Sequence, residues 1–148
     1  MNPIAALHLD RARPSDRIHL LGLQHPEQIN PIAQHYNAHR IDYRQNLHNR
    51  LKPSTKFLSL QNHLDRELQA IQTATQNTPQ NHPIAILEHF DLAIAYYQSR
   101  PGYTLKPLWV SLENLRKLPV PLWITLPIRQ IPETWNRDRK QLLHPDQP

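Results

Sequence analysis

Residues 17–23 read RIHLLGL and residues 26–38 read PEQINPIAQHYNA. The first stretch is a short apolar run without polar alternation, bounded by Ser15-Asp16 and by Gly22 to Pro26, the profile of a strand buried on both faces and therefore parallel. In the second, Pro26 and Glu27 suit a first helical turn, and Ile29, Ile32, Ala33 and Tyr36 recur at helical spacing despite Pro31. A buried strand leading into an amphipathic helix is the first half of a βαβ unit. The same alternation continues outward. Residues 83–87 (PIAIL) and 120–126 (VPLWITL) are further buried-strand runs, and Arg40 to Tyr43 (RIDY) is brief and β-compatible. Between them, Gln45 to Leu51 reads as polar helix stopped before Pro53. Phe57 to Thr75 sets Phe57, Leu60, Leu64, Leu68 and Ile71 on one stripe, with Gln61, Asp65, Arg66 and Gln69 opposite. Leu108, Leu112, Leu115 and Leu118 mark a helix ended by Pro119 and Pro121, whereas Asp91 to Tyr97 is apolar and ambiguous. This pattern predicts a small three-layer α/β domain, a mostly parallel sheet of four short strands covered by helices on both faces.

The flanks fit one domain over 1–148. Residues 1–16 are a lead-in, with a short helix allowed by Ile4, Ala5, Leu7 and Leu9 before Arg13 to Asp16 break it. Residues 133–148 are a polar, basic tail, expected to be a final helix over Glu133 to Leu143. The absence of Cys excludes a disulfide framework, a thiolate nucleophile and a cysteine metal site. With Gly22 and Gly102 its only glycines, the chain can hold neither a GxGxxG loop nor a GxSxG nucleophile elbow. No run of about 18 apolar residues and no signal-peptide core is present, so a soluble, cytoplasmic protein without a membrane partner is expected.

Ligands of parallel sheets sit beyond the carboxyl ends of the strands, which directs attention to Gly22 to Gln28, Glu88 to Asp91, and Thr125 to Arg129. A phosphate loop of the form GxxxxGK[ST] uses backbone N–H groups to cradle phosphates, its Lys to reach the terminal ones and its hydroxyl to hold Mg²⁺. Counted from Gly22, Glu27 stands in place of the second Gly, Gln28 in place of the Lys and Ile29 in place of the hydroxyl. Every chemically necessary element is missing, and Glu27 would repel a triphosphate. The strand at 83–87 nevertheless closes on Glu88, where P-loop NTPases carry their metal-associated acid, and Glu88 with Asp91 could form a metal-binding pair. Without a Lys or hydroxyl partner, such acids read better as solvated turn residues or helix caps.

The order of these pieces and the total length resemble the small P-loop protein of BREX phage-defence systems, BrxF. RIHLLGL is similar to that family's first strand leading to its phosphate loop, and Ile41 to Leu51 (IDYRQNLHNRL) to the segment after its first helix. Ile84 to Asp91 (IAILEHFD) looks like its acid-bearing strand, with Glu88 at the acid position, and Leu112 to Leu126 resembles its helix and final core strand. The departure over Gly22 to Ile29 makes the resemblance imply a degenerate member. Such a member hydrolyses no ATP, needs no bound nucleotide or Mg²⁺ as cofactor, and acts through contacts with other protein subunits of a defence or DNA-processing complex.

Charge offers a second reading. Arg40, Arg44, Arg50, Lys52 and Lys56 stand against the single acid Asp42, so this segment supplies most of the chain's net +5. Tyr36 and Tyr43 flank it, and Arg129, Arg137, Arg139 and Lys140 form a second basic group with Trp135, so contact with the phosphates of DNA or RNA is physically reasonable. A solvated basic face is the plainer account. Trp109 and Trp123 lie in apolar segments and should fill core space, whereas Trp135 in polar surroundings is the candidate interface anchor. His35 and His39 are one helical turn apart and could chelate a metal with Asp42 or His48, but ten histidines make chance spacing the better explanation, and no metal is expected.

Overall fold

The computed structural model describes residues 18–50, 64–98, 104–115 and 118–143. The lead-in, Lys52, Lys56, the start of the helix expected from Phe57 and the loop around Gly102 lie outside the described residues. Five strands form one sheet: β1 (Ile18–Leu23), β2 (His39–Asp42), β3 (Ala85–Glu88), β4 (Leu122–Pro127) and β5 (Lys140–Leu142). All pairs are parallel, in the order β2-β3-β4-β1-β5. The helices are α1 (Ile29–His35), α2 (Tyr43–Arg50), α3 (Leu64–Gln76), α4 (Asp91–Gln98) and α5 (Lys106–Glu113). The ambiguous segment from Asp91 is thus a helix.

The sheet splits its side chains by the two-residue period of a strand. Ile18 and Leu20 of β1, Ala85 and Leu87 of β3, and Leu122, Ile124 and Leu126 of β4 face a large core closed by side chains from α2, α3, α4 and α5. Leu21 and Leu23, Ile86, and Trp123 face the other side, where Ile29, Ile32 and Ala33 of α1 cover them. Both faces of β1 are therefore dry, and its six residues are all buried. Each such Leu or Ile contributes roughly 1.5–3 kcal/mol on burial, which is why RIHLLGL shows no polar alternation.

The tail departs from the expected helix. Arg137–Arg139 is a single 3-10 turn, after which Lys140–Leu142 runs as a fifth strand alongside β1, with Leu20 opposite Lys140 and Gly22 opposite Leu142. The unpaired edge of β1 decides this, because its buried N–H and C=O groups need partners that a helix could not supply. The Leu143 N–H donates to the Gly22 carbonyl at 2.8 Å.

Gly22 itself is a strand residue. A Cβ there would stand 2.8 Å from Leu142 Cδ2, 3.1 Å from Ile131 Cγ1 and 3.2 Å from Ile128 Cγ1. Its glycine identity serves close packing under the segments that follow β4, and it does not open a loop.

Candidate functional site

The chain leaves β1 over the face covered by α1 and leaves β4 over the opposite face, where Ile131 and Trp135 pack, so the carboxyl ends of these two neighbours feed opposite faces of the sheet. Such a switch point is where open α/β sheets leave a crevice. A cavity of about 290 Å³ lies there. Leu23, Leu126 and Pro127 give it apolar walls, and Gln24, Thr125 and Arg129 add polar groups from the ends of the same two strands. The turn after β3 contributes His89 and Asp91.

That turn is sharp. Phe90 must return to the core, where it is 1% exposed and edge-on to Tyr43, while Glu88 before it ends the strand. His89 takes up the difference at φ 65°, a left-handed conformation that costs an L-residue roughly 1–2 kcal/mol. It projects an exposed side chain toward the crevice, and Asp91 follows in the first turn of α4.

Glu88 points elsewhere. Arg40 on β2 donates from Nε to Glu88 Oε2 at 2.6 Å and from Nη2 to Oε1 at 2.7 Å, and its Nη1 reaches Asn30 Oδ1 on α1 at 2.9 Å. The hydrogen bond to Glu88 holds the guanidinium pKa above its ordinary value despite partial burial. Glu88 and Asp91 are therefore not arranged as a pair, since the first is clamped on the α1 side of the sheet and the second belongs to the crevice. No cluster of three or more metal-ligating side chains occurs among the described residues.

The loop after β1 is also self-satisfied. Gln28 Oε1 accepts from the Gln24 N–H at 2.7 Å and from the His25 N–H at 3.1 Å, and the Gln28 N–H donates to the His25 carbonyl at 3.1 Å. Pro26 has no N–H. The donors that a phosphate loop turns toward an anion are thus taken by the chain's own amide oxygen. Glu27 is exposed, and Ile29, at the position of the hydroxyl, is buried under the sheet at 1% exposure.

The basic groups are divided by the fold. Arg44 is exposed on α2, whose first N–H groups, of Arg44 and Gln45, are capped by Asp42 Oδ1 at 3.0 and 3.3 Å. Arg50 closes α2. Arg40 is engaged by Glu88, and Tyr43 is buried with its hydroxyl donating to Glu67 Oε1, so neither offers a free contact to nucleic acid. Tyr36 packs edge-on against Trp123.

Trp135 corrects its expected role as an exposed anchor, being only 2% exposed. Its Nε1 donates to the Arg139 carbonyl at 3.1 Å, and the Arg139 guanidinium lies 5.0 Å from its ring centre. Arg139 is itself buried and donates to the Ile18 carbonyl from Nε and Nη2 and to the Glu113 carbonyl at the end of α5. Lys140 Nζ donates to the carbonyls of Pro132 and Glu133. A string of cations in the tail thus reads as basic surface in sequence, yet much of it caps backbone in the fold. Trp123 is buried as expected, and Trp109 packs partly buried against the core.

The histidines combine differently from their spacing. His39 stands against His82, ring centres 5.6 Å apart, and His82 Nδ1 donates to the Asn37 carbonyl at 2.7 Å. His35 instead contacts Tyr36, and Asp42 is spent on the α2 cap.

Comparison with family models, with curated proteins and with solved structures finds no match to this chain. No helix among the described residues is long and apolar enough to cross a membrane.

Proposed function

We propose that this chain is a P-loop-like α/β domain with a lost phosphate loop, acting through protein contacts as a non-catalytic subunit or regulator of an assembly of the BREX phage-defence type. The observation that carries the reading is the Gln28 amide oxygen seated on the Gln24 and His25 N–H groups. An anion would have to displace it, and the exposed Glu27 beside it adds repulsion. The acid position is withdrawn in the same manner, because Glu88 has both oxygens on Arg40. With its two chemistry-bearing positions satisfied internally, the domain retains the scaffold and offers its surfaces.

Calorimetric titration with ATP and Mg²⁺ tests the first half of this reading. Silence into the millimolar range is expected, and binding at micromolar affinity would return the domain to the nucleotide-using class. Co-elution with purified BREX subunits in gel filtration tests the second half, and separate elution from all of them would remove the assembly assignment.

A second reading, direct binding of DNA or RNA, is favoured by one observation. A groove of about 370 Å³ is lined by Asn46 of α2 and by Arg66, Gln69, Thr73 and Asn77 along and just after α3, a cation among hydrogen-bonding groups. Affinity falling steeply with salt would support it, since phosphate contacts release counterions.

A further inference from the structure

The crevice between the ends of β1 and β4 is open although the phosphate loop beside it is filled. Two opposite charges stand on its walls, Asp91 at the start of α4 and Arg129 in the turn after β4. Neither has a hydrogen-bond or ion-pair partner among the described residues, and they do not pair with each other. Both are exposed and bear on one cavity of about 290 Å³, just below the usual range of ligand pockets. The same cavity is also lined by the apolar Leu23, Leu126 and Pro127. His89 lines the same cavity in a left-handed backbone conformation, the kind of local strain that clusters at ligand sites.

These features select a ligand class by charge. A free anion would meet Arg129 but also Asp91, and a free cation would meet the reverse conflict. A polyphosphate is excluded more strongly, because the cavity is small and Glu27 stands on the neighbouring loop. A molecule with a carboxylate and an ammonium group satisfies both walls at once and can lay an apolar side chain on the leucines and proline. We infer that the switch-point crevice binds a small zwitterion of the apolar α-amino acid class, its carboxylate on Arg129 and its ammonium group on Asp91.

The test follows amide NMR shifts of the full chain during titration with L-leucine, L-isoleucine, L-methionine and L-phenylalanine. Saturable shifts at Gln24, Thr125 and Arg129 are expected with at least one of them. Asp91→Asn and Arg129→Gln, both exposed and tolerant of substitution, should each weaken binding by about tenfold or more, the loss of one charge-assisted contact. N-acetyl-L-leucine, lacking the ammonium group, should be indifferent to Asp91→Asn, and L-leucine amide, lacking the carboxylate, indifferent to Arg129→Gln. Absence of shifts with all four amino acids up to about 10 mM overturns the assignment. So does binding that survives both substitutions, or ATP shifting the same amides where the amino acids do not.

Discussion

Arg40 and Glu88 lie on neighbouring parallel strands, 48 residues apart in the chain, and the guanidinium of the first meets both carboxylate oxygens of the second. In the register of β2 and β3, Asp42 is opposite Glu88 and Arg40 opposite Ile86, so the pair is diagonal and reaches along the strand. The fork of Arg fits this reach and the compact ammonium of Lys does not. Because Arg40 is half exposed, the pair is expected to add only about 1 kcal/mol, and a double-mutant cycle of Arg40→Ala and Glu88→Gln in urea denaturation should return a coupling of that size. Neither variant should create ATP turnover, and Glu88→Ala should leave a phosphate-release assay at the same background as the parent chain.

The filled loop makes a separate prediction. Gln28→Ala leaves the Gln24 and His25 N–H groups to solvent, so their hydrogen exchange should accelerate while amides of β1 stay protected. Stability should fall by about 1 kcal/mol, the net worth of such bonds at an exposed site. Unchanged exchange at both amides would show that Gln28 does not hold them in solution.

Gly22 tests the packing of the tail. Gly22→Ala brings a methyl group to 2.8 Å from Leu142 Cδ2 and within 3.2 Å of Ile128 Cγ1. Leu142 is 38% exposed and can turn away, but two isoleucine branches also press on the site, so a loss of about 1–3 kcal/mol is expected by thermal or chemical denaturation. Leu142→Ala in the same background should recover part of it.

Two titrations with opposite signs bound the pH range of greatest stability. Burial first, and the nearby Glu67 second, push the Tyr97 hydroxyl up from 10.0 to about 12. The folded state therefore holds this proton more tightly than the unfolded chain. Its contribution is full below pH 10.0 and is lost as pH rises through about 12. His39 behaves oppositely. Burial, then the charge of His82, lowers its pKa below 6.5, so its contribution is full above pH 6.5 and declines as pH falls further. Tyr97→Phe should flatten the alkaline limb of a stability profile, and His82→Gln should soften the acid limb.

The α/β alternation was legible because buried parallel strands cannot hide polar residues, and RIHLLGL, PIAIL and VPLWITL carry none at their buried core positions except His19 and Thr125. Residues 140–142 were not legible as a strand, since Lys-Gln-Leu has no apolar run and pairs only because β1 needs a neighbour. The partners of Glu88 and Trp135 were equally hidden, being set by which strands and turns become adjacent. Gln28 was the exception that sequence could have reached. A Gln three residues after a helix-start residue is the reach-back half of a capping box, and that spacing is present from His25 to Gln28. The crevice charges Asp91 and Arg129 fell inside two of the three segments expected at strand ends, but nothing in their spacing indicated a shared cavity.

Arg139 gives the last prediction, and it separates a capping role from a phosphate-binding one. Its guanidinium is buried and donates to the Ile18 carbonyl at 3.1 and 2.8 Å and to the Glu113 carbonyl at 3.4 Å. Ile18 lies just beyond the residues of β1 that β5 pairs, so this carbonyl would otherwise be left without a strand partner on that side. The Trp135 ring under the guanidinium supplies a further cation–π contact. Arg139→Ala should therefore cost about 2–3 kcal/mol, through stranded carbonyls and lost packing on Trp135. Arg139→Lys should recover only part, because one ammonium cannot serve the Ile18 and Glu113 carbonyls in the same planar geometry. The fluorescence of Trp135 should move to longer wavelength in both variants as water enters. Arg44→Ala, at an exposed position of α2, should leave stability and fluorescence unchanged. If nucleic acid does bind, only Arg44→Ala should weaken it without unfolding the tail.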